Sequence, residues 1–159
     1  MKKVISTSAE HTKNEGKDFA KKLKAGDVIF LKGEIGSGKT TFVQGLAIGL
    51  GITSRVISPT FVVVRQHEIK SQKTGVRRQE SEDRSQIKTL YHLDLYRLGN
   101  KDDIKGIDLK DILDDQDGVV LIEWPAVGKD LIDRKTWSVT FSYIDSEKRE
   151  IQYEYGIKG

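Results

Sequence analysis

The sequence contains no cysteine, which removes disulfides, thiolate nucleophiles and cysteine-ligated zinc together and fits a reducing compartment, the cytoplasm being the simplest address. Long apolar runs are missing as well. No stretch approaches the roughly 20 apolar residues of a membrane-spanning helix. Although Met1-Lys2-Lys3 opens like a secretory signal, the polar residues from Ser6 to Lys13 leave no apolar segment behind it. A soluble chain with no membrane partner is expected. Nor does charge of one sign dominate: lysine and arginine number 27 against 24 aspartates and glutamates, a surplus far below that of a dedicated nucleic-acid-binding module. The 159 residues suffice for one domain with a full core and are too few for two ordinary ones.

What is present begins with Gly33-Glu34-Ile35-Gly36-Ser37-Gly38-Lys39-Thr40, which satisfies GxxxxGK[ST] at every fixed position. It directly follows the apolar residues 28–31 and precedes a helix-like stretch, the context the motif requires. Small residues let backbone N–H groups turn inward around phosphates, and the following helix points the positive end of its dipole at them. Lys39 is expected to reach the β- and γ-phosphates of a nucleoside triphosphate, and Thr40 to offer its hydroxyl to Mg²⁺.

Periodicity places the rest of the chain around this loop. Thr7 and Glu10 have capping-box spacing, so an opening helix is expected from there to about Lys24. The helix after the loop turns Phe42, Val43, Leu46 and Leu50 inward and ends at Gly51. Gly45 and Gly49 share one stripe of it, read as close approach of the helix to the sheet. Val56-Ile57, Ser58-Pro59-Thr60-Phe61 and Val62-Val63-Val64 form a β-rich segment in which Pro59 implies a strand edge or loop. Arg65 to Lys88 is polar and aperiodic, the pattern of an exposed hairpin tip or mobile loop. From Leu90 to Leu98, Tyr91, Leu93 and Leu95 alternate with His92, Asp94 and Tyr96, which gives a half-polar strand. Ile104 to Leu113 suggests one or two short helices, the second capped by Asp108. Residues 119–122 read as a strand buried on both faces, and residues 137–143 and 149–155 as a closing hairpin.

An apolar strand ending in an acid is what a phosphate-loop enzyme uses to hold Mg²⁺ opposite the loop threonine, since ligands bind at the carboxyl ends of such strands. Glu123 is therefore the metal candidate paired with Thr40. Asp94 either orders a water or the hydration of the metal, or pairs with a nearby lysine or arginine. His92 is read as a packed or hydrogen-bonding imidazole rather than a base, because phosphoryl transfer rests on positioning and electrostatics. Thr60 stands where switch threonines sense a γ-phosphate, although Ser-Pro-Thr is also a plain turn. Lys39, Thr60, Asp94 and Glu123 are the catalytic candidates, and Ser8, in Ser6-Thr7-Ser8, is a candidate contact to the base. Asn100-Lys101-Asp102-Asp103 spells the guanine-reading NKxD, but DxxG follows from Asp103 in reversed order, so ATP is preferred over GTP. A small-metabolite kinase, with a lid carrying Arg77, Arg78 and Arg84, is the alternative enzyme. A nucleotide-dependent scaffold without significant hydrolysis is the alternative outside catalysis.

Four blocks in order, GEIGSGKTTF, SPTF, YHLDLYRL and LIEWP, resemble the TsaE (YjeE) family of bacterial ATPases from about Asp27 to Pro125. The resemblance implies an α/β phosphate-loop NTPase fold of three layers, its central sheet mostly parallel with antiparallel strands and a C-terminal hairpin. It implies an ATPase required for N6-threonylcarbamoyladenosine at position 37 of tRNAs that read ANN codons. In that family the ATPase works beside TsaD, which transfers the threonylcarbamoyl group, and TsaB, while TsaC supplies the threonylcarbamoyl-adenylate. Carried over by motif position, Gly33, Glu34, Ile35, Gly36, Ser37, Gly38, Lys39, Thr40 and Thr41 form the phosphate cradle. Thr40 and Glu123 hold Mg²⁺, Thr60 and Asp94 occupy positions implicated in activity, and Trp124 lies near the nucleotide or a partner surface, or serves as a partly buried plug. Hydrolysis is then expected to be slow and partner-stimulated, switching the TsaD and TsaB complex, with tRNA met only through that complex. Ala126 departs from the pattern, standing where an acidic or amide residue often follows EWP.

Overall fold

The computed structural model describes residues 2–54, 56–57, 59, 63–69, 87–98, 101–104, 106–125 and 132–158. Among the described residues, seven strands form one sheet in the order β1-β7-β6-β2-β5-β4-β3. Its centre is parallel: β2 (Val28–Lys32) lies between β5 (Gly118–Glu123) and β6 (Lys135–Tyr143), and β5 pairs in parallel with β4 (Thr89–Asp94). The flanks are antiparallel, with β3 (Val64–Glu68) on β4, β7 (Arg149–Lys158) on β6, and β1 (Lys2–Ser6) on β7. Alternation along the central strands feeds two cores. Ile29, Leu31, Val119 and Leu121 join one with Phe19, Phe42 and Leu46 of helices α1 (Ala9–Ala20) and α2 (Lys39–Gly49). Val28, Phe30, Val120 and Ile122 join the other with Ile104, Leu109 and Leu113, borne by α3 (Lys101–Ile104) and α4 (Leu109–Asp114). The result is the three-layer α/β architecture, parallel in its central strands and antiparallel at its flanks, with the β6–β7 hairpin at its C-terminal side.

Several elements differ from the sequence expectation, each for a physical reason. The first element is a strand, β1, whose mostly exposed residues give no apolar alternation to detect. Ser8, not Thr7, caps α1, its Oγ accepting from the His11 amide at 3.1 Å, and the helix ends at Ala20 rather than near Lys24. Residues 65–68 are not part of a loop: with Val64, which the β-rich segment already included, they form β3, held by the β4 backbone although their side chains are polar. β4 stops at Asp94 and is buried along both faces, because β3 and β5 flank it and helices cover the sheet. The Pro59 carbonyl accepts from Val63 N at 2.8 Å, just ahead of β3. Ser58, Thr60, Phe61 and Val62 lie outside the described residues, as do residues 70–86 with Arg77, Arg78 and Arg84, and Asn100 and Ala126.

The glycine stripe of α2 faces α1 rather than the sheet. A Cβ on Gly45 would lie 1.8 Å from the Lys13 carbonyl oxygen, and one on Gly49 would lie 2.6 Å from that of Lys17. Gly16 of α1 answers from the other side, where a Cβ would meet the Phe42 carbonyl oxygen at 2.1 Å. Backbone meets backbone here, so no rotamer change relieves an added methyl. Around this contact Phe19 stacks on Tyr153 at 5.5 Å and meets Trp137 edge-on at 5.1 Å. Full burial of each such side chain contributes about 1.5–3 kcal/mol. Gly45→Ala is expected to cost about 3 kcal/mol of unfolding free energy in urea titrations. Gly106→Ala, whose Cβ would approach nothing nearer than the Asp103 carbonyl oxygen at 4.0 Å, leaves the midpoint in place; equal midpoints for both variants would refute the close-packing account.

Candidate functional site

The strand order sets the site. Because β2 and β5 are adjacent and parallel, Leu31 is level with Glu123, and because β5 and β4 are adjacent and parallel, Glu123 is level with Asp94. The chain leaving β2 enters the glycine loop at the same sheet edge. Gly33, Gly36 and Gly38 adopt φ values of 140°, 79° and 104°, a conformation that L side chains resist. A Cβ on Gly33 would also lie 2.7 Å from the Phe141 carbonyl oxygen. The loop and both acids meet across a cavity of about 330 Å³, lined by Ile35, Gly36, Gly38, Lys39, Thr40, Thr41, Asp94, Tyr96, Glu123 and Trp124.

Lys39 occupies the floor and is only 5% exposed. Its Nζ donates to the carbonyl oxygens of Gly33 and Glu34, each at 2.8 Å, and lies 4.7 Å from the centre of the Trp124 ring. Burial holds the Lys39 ammonium below the usual lysine range, and the Glu123 and Asp94 carboxylates oppose that shift. Glu123 is buried at the end of β5, and His92 Nε2 lies 2.8 Å from its Oε1. The imidazole is thus a hydrogen-bonding one, as its strand position suggested. Asp94, also buried, accepts from the Tyr96 amide at 3.0 Å through Oδ1, which turns the chain out of β4. Asp94 and Glu123 therefore stand side by side on the wall facing the loop.

Among the sequence candidates, Gly36, Gly38, Lys39, Thr40, Thr41, Asp94 and Glu123 share this cavity, with Ile35 at its rim. Gly33 and Glu34 contribute the carbonyls that hold Lys39, and Ser37 is buried with its Oγ unpartnered. Ser8 lies in an adjoining cavity of about 380 Å³ with Gly36, Gly38, Thr41, Glu147 and Arg149, although its own oxygen is used as the α1 cap. Thr60 lies outside the described residues. Sequence reasoning did not find the bond from His92 to Glu123, since His92 is level with Leu121, one pleat away from the acid it meets. It also missed Tyr143, whose hydroxyl donates to the Ile35 carbonyl oxygen at 3.2 Å and ties the loop to the C-terminal hairpin. Nothing in the spacing signals a contact between residues so far apart in the chain. Trp124 lines the cavity, half-buried, against Tyr96 at 5.0 Å, with a left-handed φ of 54°.

The residues present fit a magnesium-bound nucleotide. The α2 N-terminus has no side-chain cap and no acid in its first turn, so its orphan amides and dipole are available to an anion in the cavity. Thr40 and Glu123 offer the oxygen donors that magnesium favours, and one or two carboxylates beside phosphate oxygens is its usual protein share. Among the described residues no group of three or more metal-ligating His, Asp or Glu side chains occurs.

With this geometry in place, comparison with known proteins is specific. Residues 6–151 match the profile of the family described as threonylcarbamoyl adenosine biosynthesis protein TsaE. A tRNA threonylcarbamoyladenosine biosynthesis protein TsaE of Bacillus subtilis is 31% identical over 93% of this chain and 82% of its own length. One of Treponema pallidum is 30% identical over 94% of this chain and 97% of its own length. The crystal structure of Bacillus subtilis YdiB superimposes with a TM-score of 0.72 at 26% identity, covering 99% of this chain and 86% of that one.

The buried ammonium predicts a pH dependence of stability. With the folded-state value of Lys39 depressed below 10.5, the unfolded chain binds more protons between the two values, so ligand-free stability rises with pH across that window. Lys39→Met lacks this rise. In urea unfolding from about pH 8 to about pH 11, the difference between parent and variant is expected to shift steadily toward the parent, and a pH-independent difference would refute the assignment.

Proposed function

The chain belongs to the TsaE family of threonylcarbamoyl adenosine biosynthesis proteins, and from that membership we propose that it is a magnesium-dependent ATPase acting in the modification of tRNA. Its partners are the TsaD and TsaB homologues. TsaD carries out the transfer to adenosine 37 of tRNAs reading ANN codons, and this chain works as a single nucleotide-driven unit on that complex in the cytoplasm. The observation that carries the reading is the cavity in which Lys39 and Thr40 face Glu123 and Asp94.

Each residue has a role in this reading. Loop amides from Gly33 to Thr41 receive the phosphates, and Lys39, already desolvated, exchanges its two carbonyl partners for phosphate oxygens. Thr40 and Glu123 hold the metal. When bound, magnesium offsets charge on the β- and γ-phosphates. Asp94 orders the attacking water or the hydration of the metal from beside Glu123. Ser8, in the cavity beside the loop, is assigned to the base from its place in the sequence. Thr60, assigned from sequence alone, senses the γ-phosphate and couples its presence to docking on the partners, so hydrolysis releases the complex. Trp124 covers Lys39 until the phosphates arrive.

The test is t6A formation reconstituted with TsaC-, TsaD- and TsaB-type proteins, ATP and this chain. Lys39→Ala and Glu123→Ala are each expected to lower ATP-dependent modification by about 100-fold or more while circular dichroism stays native. Parental activity from both variants would refute the reading. Labelled ATP separates the alternatives: phosphate released to water supports the ATPase, phosphate on a small acceptor supports a kinase, and modification without turnover supports a scaffold.

A further inference from the structure

We propose that His92 is a positioning residue that fixes the rotamer of Glu123, so that one carboxylate oxygen is committed to the imidazole and the other is presented to the magnesium ion. The inference rests on the reading of Glu123 as a metal ligand and deepens it. Both side chains are buried, His92 completely, and the Nε2 to Oε1 distance is 2.8 Å. A glutamate that ligates magnesium does so as a carboxylate with no proton to give, so in this arrangement Nε2 carries the hydrogen and the imidazole is the donor. Nδ1, buried and without a partner, is then the unprotonated nitrogen. A proton there would be a buried donor with nothing to receive it. The tautomer is therefore set from the Glu123 side alone.

The strand register explains why this residue serves. His92 is level with Leu121 and Asp94 is level with Glu123, so two residues of β4 on one face of the pleat flank the acid of β5. Asp94 is itself an acceptor, taking the Tyr96 amide, and His92 is the side chain bonded to Glu123 among the described residues. A glutamate has three rotatable bonds, and without this anchor its carboxylate would be drawn toward the Lys39 ammonium, whose attraction it already feels. Hydrogen-bond partners of ligating groups commonly govern metal affinity by about 10- to 100-fold.

The experiment measures the magnesium concentration for half-maximal ATP hydrolysis together with nucleotide affinity in EDTA. His92→Leu is expected to raise the magnesium requirement about 10- to 100-fold while leaving metal-free nucleotide affinity unchanged. His92→Gln, whose amide nitrogen reaches the Nε2 position, restores the parental requirement, and His92→Asn, whose amide stops short, does not. An unchanged requirement in His92→Leu, or rescue by Asn as well as by Gln, overturns the proposal. Glu123→Gln in the same assay separates the two readings. If it leaves the magnesium requirement unchanged, the ligand role of Glu123 fails and this inference falls with it; if it raises that requirement or abolishes magnesium-dependent hydrolysis while His92→Leu keeps the parental requirement, only the role of His92 fails. The ¹⁵N spectrum of the unaltered protein decides independently of whether a variant folds: a proton on Nε2 supports the proposal, and one on Nδ1 with none on Nε2 overturns it.

Discussion

A lysine ammonium taken out of water is the constraint around which this structure is arranged. Lys39 is 5% exposed, and an isolated charge in such a place would neutralise rather than persist. Two carbonyl oxygens, the face of an indole and two nearby carboxylates keep it charged. They come from the glycine loop, the end of β5 and the end of β4, so the fold must deliver all of them to one sheet edge. The left-handed glycines give the loop the turn that aims the Gly33 and Glu34 carbonyls at Nζ. The parallel order β2-β5-β4 brings Glu123 and Asp94 level with the strand that leads into the loop. The glycine contacts between α1 and α2 fix the helix whose first residue is this lysine.

How much of this was legible in the chain follows from where the signal resides. The loop was legible because its chemistry needs particular residues at contiguous positions. The buried strand β5 and its terminal Glu123 were legible because four successive apolar residues leave little choice of environment. The hairpin of β6 and β7 was legible by alternation. Strands β1 and β3 were not, since their pairing is contributed by backbone groups of β7 and β4 and their side chains remain mostly polar or exposed. The stripe of Gly45 and Gly49 announced a close approach, but a sequence cannot say against what, and the partner proved to be a helix. The bond between His92 and Glu123 was out of reach for the same reason: it joins two strands whose adjacency only the fold supplies.

The polar features of the site depend on both halves of the sheet. On one side, Tyr143 at the end of β6 donates to the Ile35 carbonyl and steadies the glycine loop, while Arg149 of β7 stacks over the Tyr143 ring at 4.3 Å. On the other, β4 supplies His92 and Asp94 to the acid of β5, and the chain leaving β5 turns at Trp124 with a left-handed backbone, a conformation that costs a non-glycine residue about 1–3 kcal/mol. That cost is offset where the ring lies over Lys39 and against Tyr96. β2 runs between these halves and carries the loop.

An anion seated on the loop therefore competes for the same ammonium that holds Trp124 in place. If Lys39 turns to phosphate oxygens, the ring loses its cation and the strained backbone at residue 124 loses part of its compensation, whereas the bond from His92 to Glu123 is untouched. The consequence is a division of labour between two consecutive positions of the chain: the Glu123 carboxylate is held by the imidazole, and Trp124 is held in part by the ammonium that an anion would take away. An anion at the floor of the cavity would thus change the cation–ring contact at Trp124, which packs against Tyr96, 51% exposed, while leaving the bond between His92 and Glu123 in place.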